Sequence, residues 1–591
     1  MFPKHRTKID QHVFDPFQTC TVFDFLFNFF IFLTQFIKKT MLRTIGLKTR
    51  KRHMSNEILK AKISSTTTCT NDKILTKTAI DNAFPSYEKT IQKLNSLQSN
   101  ASCRAKIIEN SKNCSTQNVN VNKFLMLQKS LQFLGLTSKL RDQNVIHITG
   151  TKGKGSTAFY LENYLRMRTK ELSDSQQLST GLFTSPHILS VRERIKINGE
   201  MVDKATFTKH FWIIYDQLQL LNKNNNNNTN NSLPGYFAFL TLVGLSIFVE
   251  TKVDVIILEV GIGGRIDSTN IIPNKNISVF TPIHLDHCDI LGHSIEEIAD
   301  QKAGIIRNGC QKVFVHETQK NDALEIIQSA AIENGSSFDV VPVCEFVQGF
   351  ENESFQSILP KFMLENAYFA QQVGDHWLEK YLSINNNSNE GKVEGFKKLL
   401  DFSSGKLLGR CQKIEPYDLY LDGAHTIESL DKCIDWFANL ILSDKENILN
   451  SNNKHKILIF NITGGRNSKE FLKFIASHKN FQQTFTEIIF CSNVTFKTGN
   501  FSQENDNKTV SLVDRMCKIY GHQKMWQELC SQHIIDGNDA LPKSKVFESI
   551  EEAIDNLDLV NSQVLVTGSL HLVSGVLQVV ESLHEKRKKK K

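Results

Sequence analysis

"VIHITGTKGKGSTAFYLENYL", residues 145–165, predicts a buried strand, a glycine-rich turn and a helix in immediate succession. A standard phosphate-binding loop has a glycine, four further residues and then Gly-Lys-Ser/Thr. Gly153 and Lys154 fit that pattern here, but Ile148 occupies the position of the first glycine. Gly155 also separates the lysine from the hydroxyl residues that follow. The stretch therefore indicates a variant phosphate loop at the start of an α/β domain.

We expect this turn to bind the phosphates of ATP, because backbone N–H groups at a helix N-terminus converge on anions. Lys154 would reach the β- and γ-phosphates, and the hydroxyls of Ser156 and Thr157 would face the phosphates or their magnesium. The alternative is a glycine-rich turn with a solvated lysine. The predicted ATP-binding residues of the turn are Gly150, Thr151, Lys152, Gly153, Lys154, Gly155, Ser156 and Thr157.

Composition and charge argue against several classes of protein. The chain has 591 residues, enough for two or more domains, and its 40% hydrophobic and 22% charged content is ordinary for a soluble protein. The formal net charge is +8, but without the six basic residues at 586–591 the balance is 64 basic against 62 acidic residues. A nucleic-acid footprint across the body is therefore not supported. The basic run is typical of a solvated, disordered end, with membrane, RNA or nuclear-import roles as alternatives. The 12 cysteines lack C-x-x-C spacing and indicate scattered thiols in a reducing compartment.

The first 114 residues differ from the body. The apolar run at 22–37 is shorter than the roughly 20 residues of a membrane span and contains Asp24, so we expect no stable span, with an anchor as the alternative. A basic stretch after Met41 resembles a mitochondrial presequence or, equally, a solvated linker. Met41 is also a candidate second start site. We expect a targeting or disordered extension at 1–114 and a cytoplasmic location, a mitochondrial matrix location, or both.

Apolar runs alternate with helical patterns through the rest of the chain. Runs such as "VDVIILEV", "ISVFTPI" and "QVLVTGS" are typical of parallel strands that are buried on both faces. An Asn-rich insert at 223–231 has too little apolar surface to become ordered and predicts a surface loop. The pattern predicts an α/β protein with a P-loop NTPase-like domain and a mostly parallel sheet at 115–400. A smaller Rossmann-like α/β domain at 401–583 and a basic tail at 584–591 would follow.

Polar side chains stand at the ends of several predicted strands, where parallel sheets bind their ligands. Glu259 follows four apolar residues, and a buried acid is costly unless it holds a cation or accepts hydrogen bonds. The alternative for Glu259 is that it caps a neighbouring loop. Ser185 ends another strand, and Lys302 lies in a predicted helix after His287. Taken alone, His287 would be a turn residue and Lys302 a surface charge. They suggest a site only in combination with Glu259 and Ser185.

At this point the chain resembles the folylpolyglutamate synthase family, in the Mur-ligase-like group of ATP-dependent amide-forming ligases. The short phosphate loop is characteristic of that group. One departure is "GGR" at 464–466, where an acidic "GDR" is more usual, and it weakens any role for Gly465. The matching motifs run in family order from about Lys123 to Leu577: "HITGTKGKGST", "FTSPHILSVRERIKING", "PGYFAFLTL", "LEVGIGGRIDSTNII", "LDHCDILGHSIEEIADQKAGI", "YLDGAHT", "LIFNITGGR" and "VLVTGSLHLVSGVL".

The resemblance implies a set of metal and nucleotide ligands. Ser185 and Glu259 would bind one Mg²⁺, and Glu259 with His287 a second, which a carbamylated Lys302 would support. A monovalent cation such as K⁺ is a further candidate. Catalytic roles would fall to Lys154, Lys302 and His287. Three residues of the carboxy-terminal domain would contact ATP from across the cleft: Arg410, Asp422 and His425.

The implied reaction adds L-glutamate to the γ-carboxyl of reduced folates and folate polyglutamates, which retains folates and supports one-carbon metabolism. ATP would convert the carboxylate to an acyl phosphate that the glutamate amine attacks, with positive charge and alignment as the main catalytic needs. Arg192 and Arg194 are the expected contacts to a carboxylate-rich substrate, although such residues usually form a solvated face. Tyr236 and Phe237 are expected at the pterin, with Phe239 nearby, although all three fit a core equally well.

Other functions remain open at this point. Dihydrofolate synthase adds the first glutamate to dihydropteroate with the same machinery, and some relatives carry out both reactions. A catalytically inactive nucleotide-binding scaffold would have lost the metal ligands or Lys302, all of which are present. We expect ATP, glutamate and folates as partners, no nucleic acid, and a monomer.

Overall fold

A computed structural model describes twelve parts of the chain: 84–98, 116–171, 178–223, 233–307, 309–350, 359–384, 388–443, 454–463, 466–498, 504, 512–535 and 540–588. The Phe-rich run, the basic stretch after Met41, most of the Asn-rich insert and Gly465 lie outside these residues. Within the described ranges, no helix combines the length and the apolar character that crossing a bilayer requires.

The first sheet contains, within the described residues, eight strands: β1 (Asn144–Thr149), β2 (Thr180–Phe183), β3 (Ile195–Ile197), β4 (Glu200–Met201), β5 (Val255–Glu259), β6 (Ile277–Phe280), β7 (Lys312–His316) and β8 (Ser337–Val341). Their order across the sheet is β4-β3-β2-β5-β1-β6-β7-β8. The six strands from β2 to β8 in this order run parallel, and β3 and β4 add an antiparallel edge. The predicted mostly parallel sheet is confirmed.

The central strands form because their apolar runs are covered on both faces. β5 is buried at every position, and β1 at every position but its first. The ladder between them pairs Ile148 with Glu259, so the turn that follows β1 and the acid that ends β5 lie at the same edge of the sheet.

Helices cover both faces of this sheet. α4 packs against α11 and α12 on one face, and a Cβ at Gly374 of α11 would come within 2.5 Å of the Tyr164 ring in α4. The described helices of this part are α1 (Tyr87–Asn95), α2 (Thr116–Phe133), α3 (Leu136–Leu140), α4 (Lys154–Lys170), α5 (Lys204–Lys223), α6 (Tyr236–Thr251), α7 (Cys288–Leu291), α8 (Ile295–Ala303), α9 (Asn321–Glu333), α10 (Val343–Gln348), α11 (Lys361–Leu382) and α12 (Asn389–Ser403), with 3₁₀ turns at Val191–Arg194 and Ser268–Ile271.

α1 departs from the disordered extension predicted for residues 1–114. It buries Ile91 and Leu94, and Trp212 Nε1 of α5 donates to Thr90 Oγ1 at 2.9 Å. Its apolar residues recur every three or four positions, so one face packs against α5. Residues 84–98 of the predicted extension are thus part of the folded body.

The second sheet follows the predicted boundary at residue 400. Its described strands are β9 (Gln412–Ile414), β10 (Leu419–Leu421), β11 (His455–Phe460), β12 (Glu487–Cys491), β13 (Lys543–Phe547) and β14 (Ser562–Thr567), in the order β13-β12-β11-β14-β10-β9. All pairs are parallel except β9 with β10. The described helices around it are α13 (Ile427–Ser443), α14 (Ser468–Ser477), α15 (Lys479–Thr484), α16 (Leu512–Ile535), α17 (Ile550–Asp555) and α18 (Leu570–Lys588).

The basic tail differs from its prediction over its first residues. α18 continues to Lys588, and Lys586 Nζ lies 3.8 Å from the carboxylate of Glu551. The predicted solvated end therefore begins as helix, and only 589–591 lie outside the described residues.

Replacing Leu94 with alanine should lower the free energy of unfolding by about 2–5 kcal/mol, because the side chain is fully buried and leaves a cavity. Chemical denaturation of the purified chain measures this change. Lys89→Ala, at an exposed position of the same helix, is the matched control and should alter stability by less than about 0.5 kcal/mol. Equally small effects of both substitutions would mean that α1 does not stabilise the body.

Candidate functional site

The turn between β1 and α4 depends on two glycines. Gly150 has φ 143° and Gly153 has φ 87°, values that side chains rarely permit. A Cβ on Gly150 would lie 2.0 Å from Thr281 Oγ1, and one on Gly153 would lie 2.4 Å from Asn366 Oδ1. The turn is therefore held close to the segment after β6 and to α11.

Some of the predicted ATP contacts of the turn are bonded to other parts of the protein, and others are placed to receive an anion. Thr151 N and Lys152 N donate to Pro282 O at 2.9 and 3.2 Å, so these N–H groups fix the turn. Thr157 is fully buried, and its Oγ1 lies 3.4 Å from Asn366 Oδ1, so its hydroxyl faces α11. The first N–H groups of α4 lack intrahelical partners and are the ones placed to receive an anion.

Two lysine amines meet at the carbonyl of Gly150. Lys154 Nζ donates to this oxygen at 3.2 Å, and Lys302 Nζ, from α8, donates at 2.7 Å. Burial lowers the pKa of both amines, that of Lys302 well below its ordinary value, and the charge of Lys154 lowers the pKa of Lys302 further. The site therefore favours a neutral Lys302.

Glu259 lies against both the β2 loop and α4. Its side chain is 4% exposed, and its Oε2 accepts a 2.8 Å hydrogen bond from Ser185 N. A Cβ on Gly155 would stand 3.3 Å from each carboxylate oxygen. The alternative that Glu259 caps a neighbouring loop therefore applies to one of its two oxygens. The carboxylate as a whole lies beside the first turn of α4.

The electrostatic surroundings of Glu259 are cationic. Burial raises the pKa of its carboxyl, and the charges of Lys154, Arg410 and Arg194 oppose that rise. Lys154 belongs to the phosphate turn, Arg194 to a 3₁₀ turn, and Arg410 to the second sheet. Three separate parts of the chain therefore direct positive charge at one buried acid.

Asp286 is a second acid at this edge, after β6. Lys152 Nζ lies 3.8 Å from Asp286 Oδ2. Burial acts to raise the pKa of Asp286, but the charges of His287, Lys152 and His425 outweigh it and the pKa is lowered. His287 is the residue before α7, with φ 54°, and burial lowers its pKa although Asp286 opposes this. His287 thus lies beside the phosphate turn, with Asp286 as its partner.

The structure separates the two arginines that were predicted to bind substrate. Arg194 is 8% exposed, its guanidinium carbon lies 5.8 Å from the Tyr236 ring centroid, and its Nε donates to His187 Nδ1 at 2.9 Å. Arg192 instead donates from Nη1 to Val202 O at 3.0 Å. Arg194 therefore joins the site, and Arg192 holds the hairpin edge of the sheet.

The predicted pterin-side aromatics also divide. Phe237 is half-buried, and its ring would lie 2.7 Å from a Cβ on Gly261, in the loop after β5. Tyr236 lies under Arg194. Phe239 is fully buried with its ring centroid 4.9 Å from that of Phe211, so it is a core residue.

Asp422 shapes the part of the second sheet that faces the site. Its Oδ2 accepts from Cys411 N at 2.9 Å and its Oδ1 from Ala424 N at 2.8 Å, and the side chain is 8% exposed. A Cβ on Gly423 would lie 2.6 Å from Arg410 Nη1, so the guanidinium packs on this loop. Asp422 therefore supports the loop that presents Arg410.

Contacts between the two sheets bring these groups together. His284 Nδ1, after β6, lies 3.3 Å from Glu428 Oε2 of α13. Burial together with the charge of Lys152 lowers the pKa of His425 to about 3, so this ring is neutral beside the phosphate turn. The predicted nucleotide contacts of the second sheet thus face the turn.

The donor set at the end of β5 fits one magnesium ion directly. Mg²⁺ prefers oxygen ligands, which the Ser185 hydroxyl and the Glu259 carboxylate supply. His287 offers a nitrogen, and Lys302 as an amine donates to Gly150 and offers no oxygen. As an amine, Lys302 therefore contributes no ligand to a second ion.

Several residues of the site are not among the predicted site residues. Asn366 lies on α11, more than 200 residues after the turn it contacts, and no motif marks it. His284 and Asp286 lie inside the motif that contains His287 and could have been found as strand-end polar residues. Glu504 contacts the loop after β2 from the far part of the chain, which spacing alone does not predict.

Gly150→Ala should abolish nucleotide binding, because the added Cβ meets both the side chain and the backbone of Thr281 at a backbone conformation that alanine rarely adopts. Fluorescent-nucleotide titration of the purified variant measures the loss. Gly521→Ala is the control and should bind normally, because no other segment among the described residues lies within 4 Å of the new Cβ. Normal binding by Gly150→Ala would remove this turn from the nucleotide site.

Known proteins are similar to this chain in sequence and in fold. A family model of the Mur ligase middle domain matches residues 148–337. The mitochondrial folylpolyglutamate synthase of Bos taurus is 30% identical over 84% of this chain and 92% of its own. The folylpolyglutamate synthase of Saccharomyces cerevisiae is 32% identical over 87% of this chain and 90% of its own. The structure of Mycobacterium tuberculosis folylpolyglutamate synthase complexed with ADP and AMPPCP is similar with a TM-score of 0.56 at 19% identity, covering 77% of this chain and 95% of that chain. The chain belongs to the folylpolyglutamate synthase family.

Proposed function

We propose that this chain adds L-glutamate to the γ-carboxyl of tetrahydrofolate and its polyglutamates at the expense of ATP. The observation that carries the proposal is the buried Glu259 carboxylate against the phosphate turn, with Lys154, Arg194 and Arg410 directed at it. An acid and several cations at the carboxyl ends of parallel strands suit phosphoryl transfer, which depends on positioning and charge.

The reaction requires activation of a carboxylate, which is a poor acyl donor. The γ-phosphoryl group of ATP would pass to the folate γ-carboxylate, giving an acyl phosphate and ADP. The glutamate amine then attacks the acyl carbon, and phosphate leaves as the amide forms. Lys154 would stabilise the charge on the transferring group, and Arg410 would add charge from the second sheet. Closure of the two sheets would exclude water that otherwise hydrolyses the acyl phosphate.

Ser185 and Glu259 are the residues that would hold magnesium. A bound Mg²⁺ neutralises phosphate charge and fixes the in-line geometry. Lys302 is buried and its pKa is lowered well below its ordinary value, so it offers the neutral amine that reacts with carbon dioxide. As a carbamate it would be an anion beside Gly150, able with His287 to support a second ion.

Of the remaining site residues, some would contact the nucleotide and others the folate. Asp422 and His425 would support the nucleotide from the second sheet. Arg194 would pair with a substrate carboxylate. Tyr236, which lies under Arg194, and Phe237, which lies beside the loop after β5, would contact the pterin ring. As a family member named mitochondrial in Bos taurus is similar over most of the chain, we also propose a mitochondrial form, a cytoplasmic form, or both.

Incorporation of labelled glutamate tests the function. The purified chain should form product in an ATP- and Mg²⁺-dependent reaction with tetrahydrofolate. Dihydropteroate, offered in parallel, would be used as well by a bifunctional enzyme. Product from dihydropteroate alone, or no product from either substrate, would contradict the proposal.

Lys154→Ala should reduce the rate of ligation by at least about 10²-fold, because it removes a charge aimed at the transferring phosphoryl group. The variant should remain folded, since the hydrogen bonds of Lys154 Nζ among the described residues go to two backbone carbonyls of its own turn. Lys524→Ala, at an exposed position of α16, is the control. Turnover by Lys154→Ala at the wild-type rate would exclude the assigned role.

A further inference from the structure

The loop between β2 and the 3₁₀ turn that carries Arg194 is held by carboxylates. Glu193 accepts from three successive backbone N–H groups, those of Ile188, Leu189 and Ser190, at 2.7–2.8 Å. These bonds lie within the loop and satisfy its local backbone. The next N–H group, that of Val191, has a partner from elsewhere in the chain.

That partner is Glu504, which lies between β12 and α16 of the second sheet. Its Oε2 accepts from Val191 N and from Ser190 Oγ, both at 2.7 Å. Hydrogen bonds to an ionised acceptor at this distance are about twice as strong as neutral ones. One acid of the second domain therefore anchors the start of the turn that carries Arg194.

The backbone of Glu504 makes a second connection, through His187. Arg194 Nε donates to His187 Nδ1 at 2.9 Å, and a guanidinium has no acceptor, so Nδ1 must carry the lone pair. His187 Nε2 then carries the proton, and it donates to Glu504 O at 3.0 Å. A chain of hydrogen bonds thus runs from Glu504 through His187 to the guanidinium of Arg194.

Burial and ring packing further restrict the conformation of the Arg194 side chain. It is 8% exposed and lies over the Tyr236 ring. A second link from the same domain, Ser574 Oγ to Ile188 O, holds the beginning of the loop. The orientation of the substrate arginine is therefore set by residues of the other domain.

We propose that Glu504 is a positioning residue by which the carboxy-terminal domain orients Arg194 for a carboxylate of the folate substrate. This inference rests on the proposed function, because it takes an acidic folate as the ligand of Arg194. Docking of the second domain would then prepare the folate site as well as the nucleotide site.

Steady-state kinetics of full-length Glu504→Ala, Glu504→Gln and Ser190→Ala, each at saturating ATP and glutamate, test the proposal. Glu504→Ala should raise KM for tetrahydrofolate about tenfold, the loss expected for a hydrogen bond to a charged group. KM for ATP should stay at the wild-type value, and the melting temperature should fall slightly, since the buried Val191 N–H loses its partner. Glu504→Gln, which keeps an acceptor oxygen, should recover part of the loss. The effects of Glu504→Ala and Ser190→Ala should combine less than additively, since the two side chains share one hydrogen bond and each keeps a further partner.

Glu528→Gln, at an exposed position of α16, is the matched control and should behave as wild type. An unchanged KM for tetrahydrofolate in Glu504→Ala would overturn the proposal. A parallel change of both KM values together with a lower melting temperature would also overturn it, because that pattern indicates a structural role only. If the wild-type chain makes no product, the proposed function fails. Calorimetric affinity of tetrahydrofolate for the same proteins then decides the role of Glu504 without turnover.

Discussion

A buried carboxylate at the end of β5 is the constraint on which the rest of this structure depends. Moving an ionised acid out of water is costly unless charges and hydrogen-bond donors compensate. Glu259 receives a hydrogen bond from Ser185 N and positive charge from Lys154, Arg194 and Arg410. These groups belong to the β2 loop, the phosphate turn, the 3₁₀ turn and the second sheet. The charge of one side chain therefore depends on groups that both sheets bring together.

Strand order explains why these groups meet. Four neighbouring strands, β2, β5, β1 and β6, run parallel, so their carboxyl ends share one edge. Ser185 follows the first, Glu259 ends the second, the phosphate turn follows the third, and the Asp286-His287 pair follows the fourth. Residues more than 130 positions apart in the sequence thus become neighbours, because each one ends or follows a strand at the same edge of the sheet. The second sheet adds Arg410 and His425 from the other side.

Much of this could be predicted because apolar strands with polar ends have a recognisable pattern. The α/β fold and the family are confirmed, and the strands with continuous apolar runs were all predicted. α1 was not predicted because the sequence around it is rich in Ser, Asn and Lys, although the apolar residues of α1 do recur with helical spacing. The edge strands β8 and β13 were missed since most of their residues are at least partly exposed and lack such a run.

Side-chain direction and distant contacts could not be predicted. Arg192 and Arg194 are two residues apart in a 3₁₀ turn, and only the packing of the hairpin edge and α6 decides which of them faces the site. Thr157 follows the phosphate turn but faces α11, because Asn366 accepts its hydroxyl. Glu504 reaches Val191 across 313 residues, which no local pattern reports.

A magnesium titration of glutamate ligation by Glu259→Gln, beside the wild-type chain, tests the account most directly. The amide keeps the size of the side chain and removes the charge that would hold the cation. The magnesium concentration at half-maximal rate should rise by more than roughly tenfold, since the loss of even an outer partner of a metal ligand weakens binding by that order. A titration that superimposes on the wild-type curve would contradict the role of Glu259 at the centre of this site.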